Sequence, residues 1–280
     1  MHKSVLDILK MKQEKKKISV ITSYDYTLAS LCDKAEIDII LVGDSAGMVM
    51  LGYENTIPVT MEHMCLFTEA VSNARKNSLL VSDLPFMSYQ TSIEDAIKNS
   101  GRLIKAGADA VKLEGGAEMI STIKAIVEIG IPVMGHIGLQ PQTTMLSEGY
   151  RVQGKTKESA EKLIKDAKKL EDAGVFSIAL EMVSQEVAEI ISQSIKIPTI
   201  GIGSGAKCDG QVLVIQDLLG MYDKIKPKFA KRYMNLSEDI VKSLKEYKND
   251  IQNQTFPSAE HSFEMESNEL EKLRGEIGEK

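Results

Sequence analysis

Asp44, Asp83, Lys112, Glu114, His136 and Glu181 each close or follow a short run of aliphatic and β-branched residues. In parallel α/β folds, active sites are assembled from side chains at the C-terminal ends of such runs. Pleating sorts those side chains, because successive residues of a strand point to opposite faces. In Ala110-Val111-Lys112-Leu113-Glu114 the aliphatic Val111 and Leu113 share the side that faces helices, so Lys112 and Glu114 point inward together. In Ser177-Ile178-Ala179-Leu180-Glu181 the same reasoning sends Ser177, Ala179 and Glu181 to the interior. An unpaired buried charge is costly, so such groups persist where they pair, bind a metal or serve a ligand.

Asp44, Asp83 and Glu114 end three successive runs. Adjacent parallel strands lie about 4.8 Å apart, so the three carboxylates are expected to converge. Their repulsion calls for a cation, and an all-oxygen donor set suits Mg²⁺ better than zinc, copper or iron. Each residue also has a plainer reading: Asp44 could cap a helix, Asp83 before Leu84-Pro85 could shape a turn, and Lys112 could simply pair with Glu114. His136 shares its face with Met134 and reads equally as a core histidine or a ligand, while His63 reads as a surface or packing residue. Asp25, ahead of Tyr26-Thr27-Leu28-Ala29, reads as a helix cap. The segment Gly201-Ile202-Gly203-Ser204-Gly205 could cradle a phosphate or merely turn tightly.

The elements that must position these groups alternate along the chain. Strands are predicted at about Ile18–Tyr24, Ile37–Val42, Leu79–Ser82, Ala108–Leu113, Pro132–Gly135, Val175–Leu180, Pro198–Ile202 and Val212–Ile215. Helical stretches lie between them, including Thr60–Lys76 with a capping Thr, Ile93–Ala106 before Gly107 and Lys157–Ala173 before Gly174. A short helix is predicted within the first ten or so residues. Eight strand and helix units in about 200 residues favour a (β/α)8 TIM barrel, with an open doubly wound sheet as the alternative. The dinucleotide form of that sheet wants Gly-x-Gly-x-x-Gly after the first strand, where Tyr24-Asp25-Tyr26 stands instead.

The chain has 280 residues, 43% hydrophobic and 26% charged, which fits a folded globular protein. With 34 basic and 40 acidic residues its net charge is −6, so no whole-chain cationic field attracts nucleic acid or anionic lipid. Its longest apolar runs are far shorter than the roughly 20 residues of a membrane-spanning helix. The lysines of MHKSVLDILKMKQEKKK follow the apolar patch, the wrong order for a secretion signal, and the cytoplasm is the expected compartment. Cys32, Cys65 and Cys208 are scattered and odd in number, so neither a disulfide framework nor a zinc site is indicated. Residues 1–263 are expected to form a single barrel domain, and 264–280 an acidic, mobile tail.

Five runs carry a resemblance. Asp44-Ser45-Ala46-Gly47, Asp83-Leu84-Pro85-Phe86, Val111-Lys112-Leu113-Glu114-Gly115-Gly116, Gly135-His136-Ile137-Gly138-Leu139 and Gly149-Tyr150-Arg151-Val152-Gln153-Gly154 resemble the ketopantoate (3-methyl-2-oxobutanoate) hydroxymethyltransferase family. The likeness extends in order from about Ile18 to Phe263, including Asp209-Gly210-Gln211 and Glu260-His261-Ser262-Phe263. It implies a barrel of the phosphoenolpyruvate mutase/isocitrate lyase type. It also implies transfer of a one-carbon unit from the co-substrate 5,10-methylenetetrahydrofolate to 3-methyl-2-oxobutanoate, giving 2-dehydropantoate for pantothenate and coenzyme A, through a Mg²⁺-stabilised enolate. By the same resemblance Asp44, Asp83 and Glu114 surround one Mg²⁺ per subunit, Asp44, Ser45, Asp83 and Lys112 contact the oxo acid, and Glu181 is the proton acceptor. His136 is read as a residue that orients Lys112 or the bound acid. The family further implies a homodecamer. One departure is Gly203-Ser204-Gly205-Ala206-Lys207, where relatives carry Ala-Gly-Asn after the glycine, which puts polar contacts from that loop in question. Two rivals are a metal-dependent lyase or phosphomutase on the same barrel, which needs no folate, and a non-enzymatic scaffold, which has no reason to gather Lys112, Glu114 and Glu181 at one end.

Overall fold

In the computed structural model, which describes residues 2–144, 151–224 and 226–278, eight parallel strands hydrogen-bond in chain order and close on themselves. They are β1 (Ile18–Thr22), β2 (Ile39–Val42), β3 (Leu79–Asp83), β4 (Ala110–Glu114), β5 (Val133–Gly138), β6 (Ser177–Glu181), β7 (Thr199–Ile202) and β8 (Gly210–Leu213). The closed barrel holds and the open sheet does not. Helices α1 (Val5–Gln13), α2 (Tyr26–Lys34), α3 (Ala46–Val49), α4 (Met61–Ala74), α5 (Ile93–Lys105), α6 (Ile120–Glu128), α7 (Pro141–Thr144), α8 (Lys157–Asp172), α9 (Gln185–Ser194) and α10 (Ile215–Leu219) precede or join the strands.

The helix starts obey their caps. Thr60 and His63 form a reciprocal capping box on α4, which gives His63 a structural task, and Asp25 accepts the Leu28 N–H on α2. Strand ends move by one to three residues from the sequence reading, and glycine explains two of the shifts. β5 runs on through Gly135 because Leu170 of α8 packs where a side chain would stand, 3.2 Å from an added Cβ. β8 starts at Gly210, where a Cβ would lie 2.5 Å from the Ile18 carbonyl oxygen, so glycine permits the closing pair with β1.

The pleat divides the core into two shells. Outside the barrel, Ile40, Val42, Leu80, Val111, Leu113, Ile178 and Leu180 pack against helix residues such as Met64, Leu103, Ile123, Leu170 and Ile191. Inside, Val20, Ile39, Leu41, Leu79, Val81, Met134, Ile200 and Val212 fill the lower barrel together with Ile8 of α1. Fully burying such an aliphatic side chain is worth about 1.5–3 kcal/mol over leaving it exposed. α1 is anchored at the N-terminal end of the strands: Lys12 Nζ donates to Ser192 O at 2.9 Å, Ile197 O at 2.8 Å and Asp209 Oδ2 at 2.9 Å. With that end plugged, the open end of the barrel is the one that carries the polar strand termini.

Contacts divide the chain into two units, Met1–Tyr233 and Met234–Lys280. The second contains α11 (Leu236–Gln252) and α12 (Ser267–Ile277), and none of the residues in these two helices is buried. Within it, the Phe256 ring meets Tyr247 edge-on and His261 at a tilt, with centroids 5.7 and 5.1 Å away. α12 lies in the stretch read from sequence as an acidic tail. Among the described residues no helix is long and apolar enough to cross a membrane.

Candidate active site

The register of the barrel brings the strand-end side chains together in two groups. Asp83 at the end of β3 lies level with Lys112 of β4, and Lys112 Nζ donates to Asp83 Oδ1 at 2.7 Å. Asp44, just past β2, donates its backbone N–H to Asp83 Oδ2 at 3.1 Å. Lys112 therefore pairs with Asp83, and the plainer reading of an isolated Lys112–Glu114 bridge falls. Beside Asp44, the Ser45 hydroxyl stands 2.8 Å from the buried phenol of Tyr24.

The second group belongs to β4, β5 and β6. Glu114 is level with His136, whose Nδ1 lies 3.5 Å from Glu114 Oε1 and whose Nε2 lies 3.3 Å from Glu181 Oε2. Neither ring nitrogen makes a well-aligned hydrogen bond, although both are buried. The imidazole thus stands between two carboxylates. Glu181 has a side chain 17% exposed against 2% for Glu114, so it is the carboxylate with access to the space above the barrel. That space is a cavity of about 390 Å³, lined by Asp44, Ser45, Asp83, Lys112, Glu114, His136 and Glu181 and floored by Val20, Leu41, Met134, Ile200 and Val212.

Negative charge is in excess here. Burial first, and then the neighbouring Asp83, push the Asp44 carboxyl up to about 7, with Lys112 offsetting part of the effect. Burial and Asp44 likewise raise Glu114 well above the usual carboxylate range. Burial alone would lower the Lys112 ammonium, but Asp83, Glu114 and Asp44 outweigh it and the net shift is upward. Among the described residues no three His, Cys, Asp or Glu side chains stand close enough to enclose an ion unaided. Mg²⁺ does not need such a cage, since it is commonly held by one or two carboxylates and completed by water and substrate oxygens. The neighbouring carboxylates of Asp44 and Asp83, all-oxygen and short of positive charge, fit that ion, with Glu114 nearby through a shared partner, Gln142.

A family model described as ketopantoate hydroxymethyltransferase matches residues 2–259. The 3-methyl-2-oxobutanoate hydroxymethyltransferase of Nitrosopumilus maritimus (strain SCM1) is 77% identical over 278 residues, covering 99% of this chain and 100% of that protein. The chain belongs to the ketopantoate hydroxymethyltransferase family. The protein of the same name from Cenarchaeum symbiosum (strain A) is 57% identical over 92% of this chain and 97% of its own length. Among solved structures, 2,3-dimethylmalate lyase, a phosphoenolpyruvate mutase/isocitrate lyase superfamily member, matches with a TM-score of 0.59 at 15% identity, over 99% of this chain and 96% of that one. Phosphonopyruvate hydrolase in complex with oxalate and Mg²⁺ matches with a TM-score of 0.61 at 11% identity and the same coverage. These two likenesses concern the fold, and the barrel is of that superfamily's type.

Family membership does not by itself say what supports the site, and three supporting residues escaped the sequence reading. Gln142 and Tyr89 lie off the strand ends, and Tyr24, at the end of the first predicted strand, is uncharged, so a search for charged termini passes over all three. The one available signal was Pro141, a helix-starting residue just beyond β5, which announces an ordered turn at the active-site face. The glycine segment after β7 proves to be a turn: buried Ser204 donates its hydroxyl to Leu180 O at 2.7 Å and accepts the Val183 N–H at 3.0 Å. Ser204 therefore secures the backbone on both sides of Glu181. Gly149 and Tyr150 of the fifth resembling run lie outside the described residues, while Gln153 donates its backbone N–H to Met182 O beside β6.

Proposed function

We propose that this chain transfers a one-carbon unit from 5,10-methylenetetrahydrofolate to 3-methyl-2-oxobutanoate in the cytoplasm, giving 2-dehydropantoate for pantothenate and coenzyme A synthesis. The observation that carries the reading is one cavity with an Asp44–Asp83–Lys112 group and, next to it, the accessible carboxylate of Glu181. An oxo acid bears two oxygens on adjacent carbons, and the first group is suited to them. Asp44 and Asp83, with Glu114 close by, would hold Mg²⁺, which when bound supplies Lewis-acid polarisation of the 2-oxo oxygen. Lys112 balances the negative charge gathered around the acid. Ser45, fixed by Tyr24, offers a hydroxyl beside Asp44.

A hydrogen on carbon next to a ketone is a weak acid, so its removal requires a positioned base. Glu181 fills that role: it removes the C3 proton and leaves a carbanion delocalised onto the 2-oxo oxygen. The methylene carbon, once one C–N bond has opened and water has displaced the other folate nitrogen, is delivered as a hydroxymethyl group to that carbanion, while the two nitrogens take up protons and tetrahydrofolate leaves. Such a base contributes about 10²- to 10⁴-fold to the rate. His136, between Glu181 and Glu114, keeps the Glu181 carboxylate aimed into the cavity. The apolar floor accepts the branched alkyl end of the acid.

The chain is further proposed to act as a homo-oligomer, a decamer by family resemblance. Ile240, Leu244, Tyr247 and Ile251 recur at helical spacing on α11 and are all exposed, a stripe suited to burial between subunits. Light scattering should return a mass several times that of the chain.

The deciding experiment supplies 3-methyl-2-oxobutanoate with and without Mg²⁺ and methylenetetrahydrofolate. 2-Dehydropantoate should form only when all three are present. Absence of product from folded, metal-loaded protein would return the function to a lyase or phosphomutase on the same barrel.

A further inference from the structure

We propose that Gln142 is a positioning residue that presets the Asp44 carboxylate for a divalent cation; the inference rests on the metal role proposed above and adds the residue that organises it. Gln142 is 1% exposed and lies on α7, after β5, yet it reaches the ends of β2, β3 and β4. Its Nε2 donates to Asp44 Oδ2 at 2.9 Å and to Leu84 O at 3.0 Å, and its backbone N–H donates to Glu114 Oε2 at 3.1 Å. On the other side, Tyr89 donates its hydroxyl to Gln142 Oε1 at 2.7 Å, and Gln90 Nε2 lies 3.4 Å from the same oxygen. The Tyr89 oxygen accepts the Glu114 N–H at 3.1 Å, which ties the loop after β3 to the strand that carries Glu114.

This pattern admits one orientation of the carboxamide. The two Nε2 hydrogens face the acceptors Asp44 Oδ2 and Leu84 O, while Oε1 faces the Tyr89 hydroxyl. A flipped amide would set oxygen against Asp44 Oδ2 and Leu84 O and lose both of those bonds. One side chain therefore engages one oxygen of Asp44 and, through its backbone, one oxygen of Glu114. The Asp44 carboxylate is held by a neutral donor, which orients it without cancelling its charge. A lysine or arginine in that place would neutralise the ligand that the cation needs. Groups of this kind, one step removed from a metal, govern affinity by fixing their ligands, and their loss typically costs 10- to 100-fold.

The test is Mg²⁺ titration by calorimetry, with Mn²⁺ binding followed by electron paramagnetic resonance, on the full chain and on Gln142→Met, which keeps the volume and removes both donors. The expected result is a metal Kd raised about 10- to 100-fold, with the chelator-treated variant as folded as the parent. At saturating Mg²⁺, kcat should return to within about threefold of the parent, as expected if the residue acts by setting the ligand. An unchanged metal Kd in folded Gln142→Met would overturn the inference and leave the proposed function standing. Failure of the unmodified protein to bind either ion would overturn both. Should Gln142→Met not fold, Gln142→Asn keeps an amide for Tyr89 but falls short of Asp44, and the same two outcomes apply.

Discussion

The two ends of the barrel treat their carboxylates in opposite ways. At the N-terminal ends of the strands every prominent acid is saturated with donors. Asp33 accepts the N–H groups of Asn77 at 2.8 Å and Ser78 at 2.9 Å, Asp38 accepts the Ser19 N–H and hydroxyl, Asp109 pairs with Arg75, and Asp209 binds Lys12 and both donors of Thr199. At the C-terminal ends, Asp44, Asp83, Glu114 and Glu181 gather in one cavity where Lys112 pairs with Asp83 alone, and burial and mutual repulsion raise Asp44 and Glu114. The first set stabilises the fold. The second is costly to the fold, and under the proposed function that cost is offset when a cation and an anionic substrate bind, the usual trade between stability and a prepared site.

The comparison is broken most directly at Glu181. Glu181→Gln should reduce deuterium exchange at C3 of 3-methyl-2-oxobutanoate by about 10²- to 10⁴-fold while Mg²⁺ and oxo-acid binding persist; exchange followed by proton NMR decides it, and retained exchange removes Glu181 from the role of base. At the opposite end, Ile8→Ala should cost about 2–5 kcal/mol of stability in urea titration, with kcat per folded molecule unchanged, because α1 plugs the end away from the chemistry.

Asp33 and Asp44 sharpen the contrast because their titrations carry opposite signs. Burial pulls the Asp33 carboxyl up, but the backbone N–H groups of Asn77 and Ser78 outweigh it and hold it below the usual range. Its contribution is present above the unfolded carboxylate value, about 4, and is lost as pH falls through the lower folded value. Asp33→Asn should therefore cost about 1–3 kcal/mol at neutral pH and progressively less under acid conditions, measured by denaturant midpoints across pH. Asp44, raised from 3.8 to about 7, works the other way: the folded metal-free protein retains a proton that the unfolded chain releases, so stability declines as pH rises through that interval. Asp44→Asn should stabilise the chelator-treated protein at pH 7 by about 1 kcal/mol while abolishing Mg²⁺-dependent turnover. A loss of stability instead would mean that Asp44 belongs with the structural acids of the other end.

Much of this was legible along the chain, for reasons that are local. Val111 and Leu113 outward with Lys112 and Glu114 inward follows from a two-residue pleat, and Asp25 and Thr60 announce helix starts through hydrogen bonds to residues three positions on. The strand bounds at Gly135 and Gly210 were less legible: β5 continues past Gly135 and β8 begins at Gly210 because a neighbouring element packs where their side chains would be. The alternatives left open for Ser204, Lys112 and His136 also depended on partners far away in sequence.

Alternation of aliphatic runs and capped helices, with charged residues at the ends of the runs, determined by sequence alone a parallel α/β barrel with its polar groups at one mouth. Only the tertiary structure decided that Lys112 answers Asp83, that His136 stands between Glu114 and Glu181, and that Gln142 spans Asp44, Leu84 and Glu114. The physical reason is that pleat and caps are short-range rules, whereas which charged groups meet across a closed barrel depends on the register between strands and on where each loop returns, and neither is written in the spacing of residues along the chain.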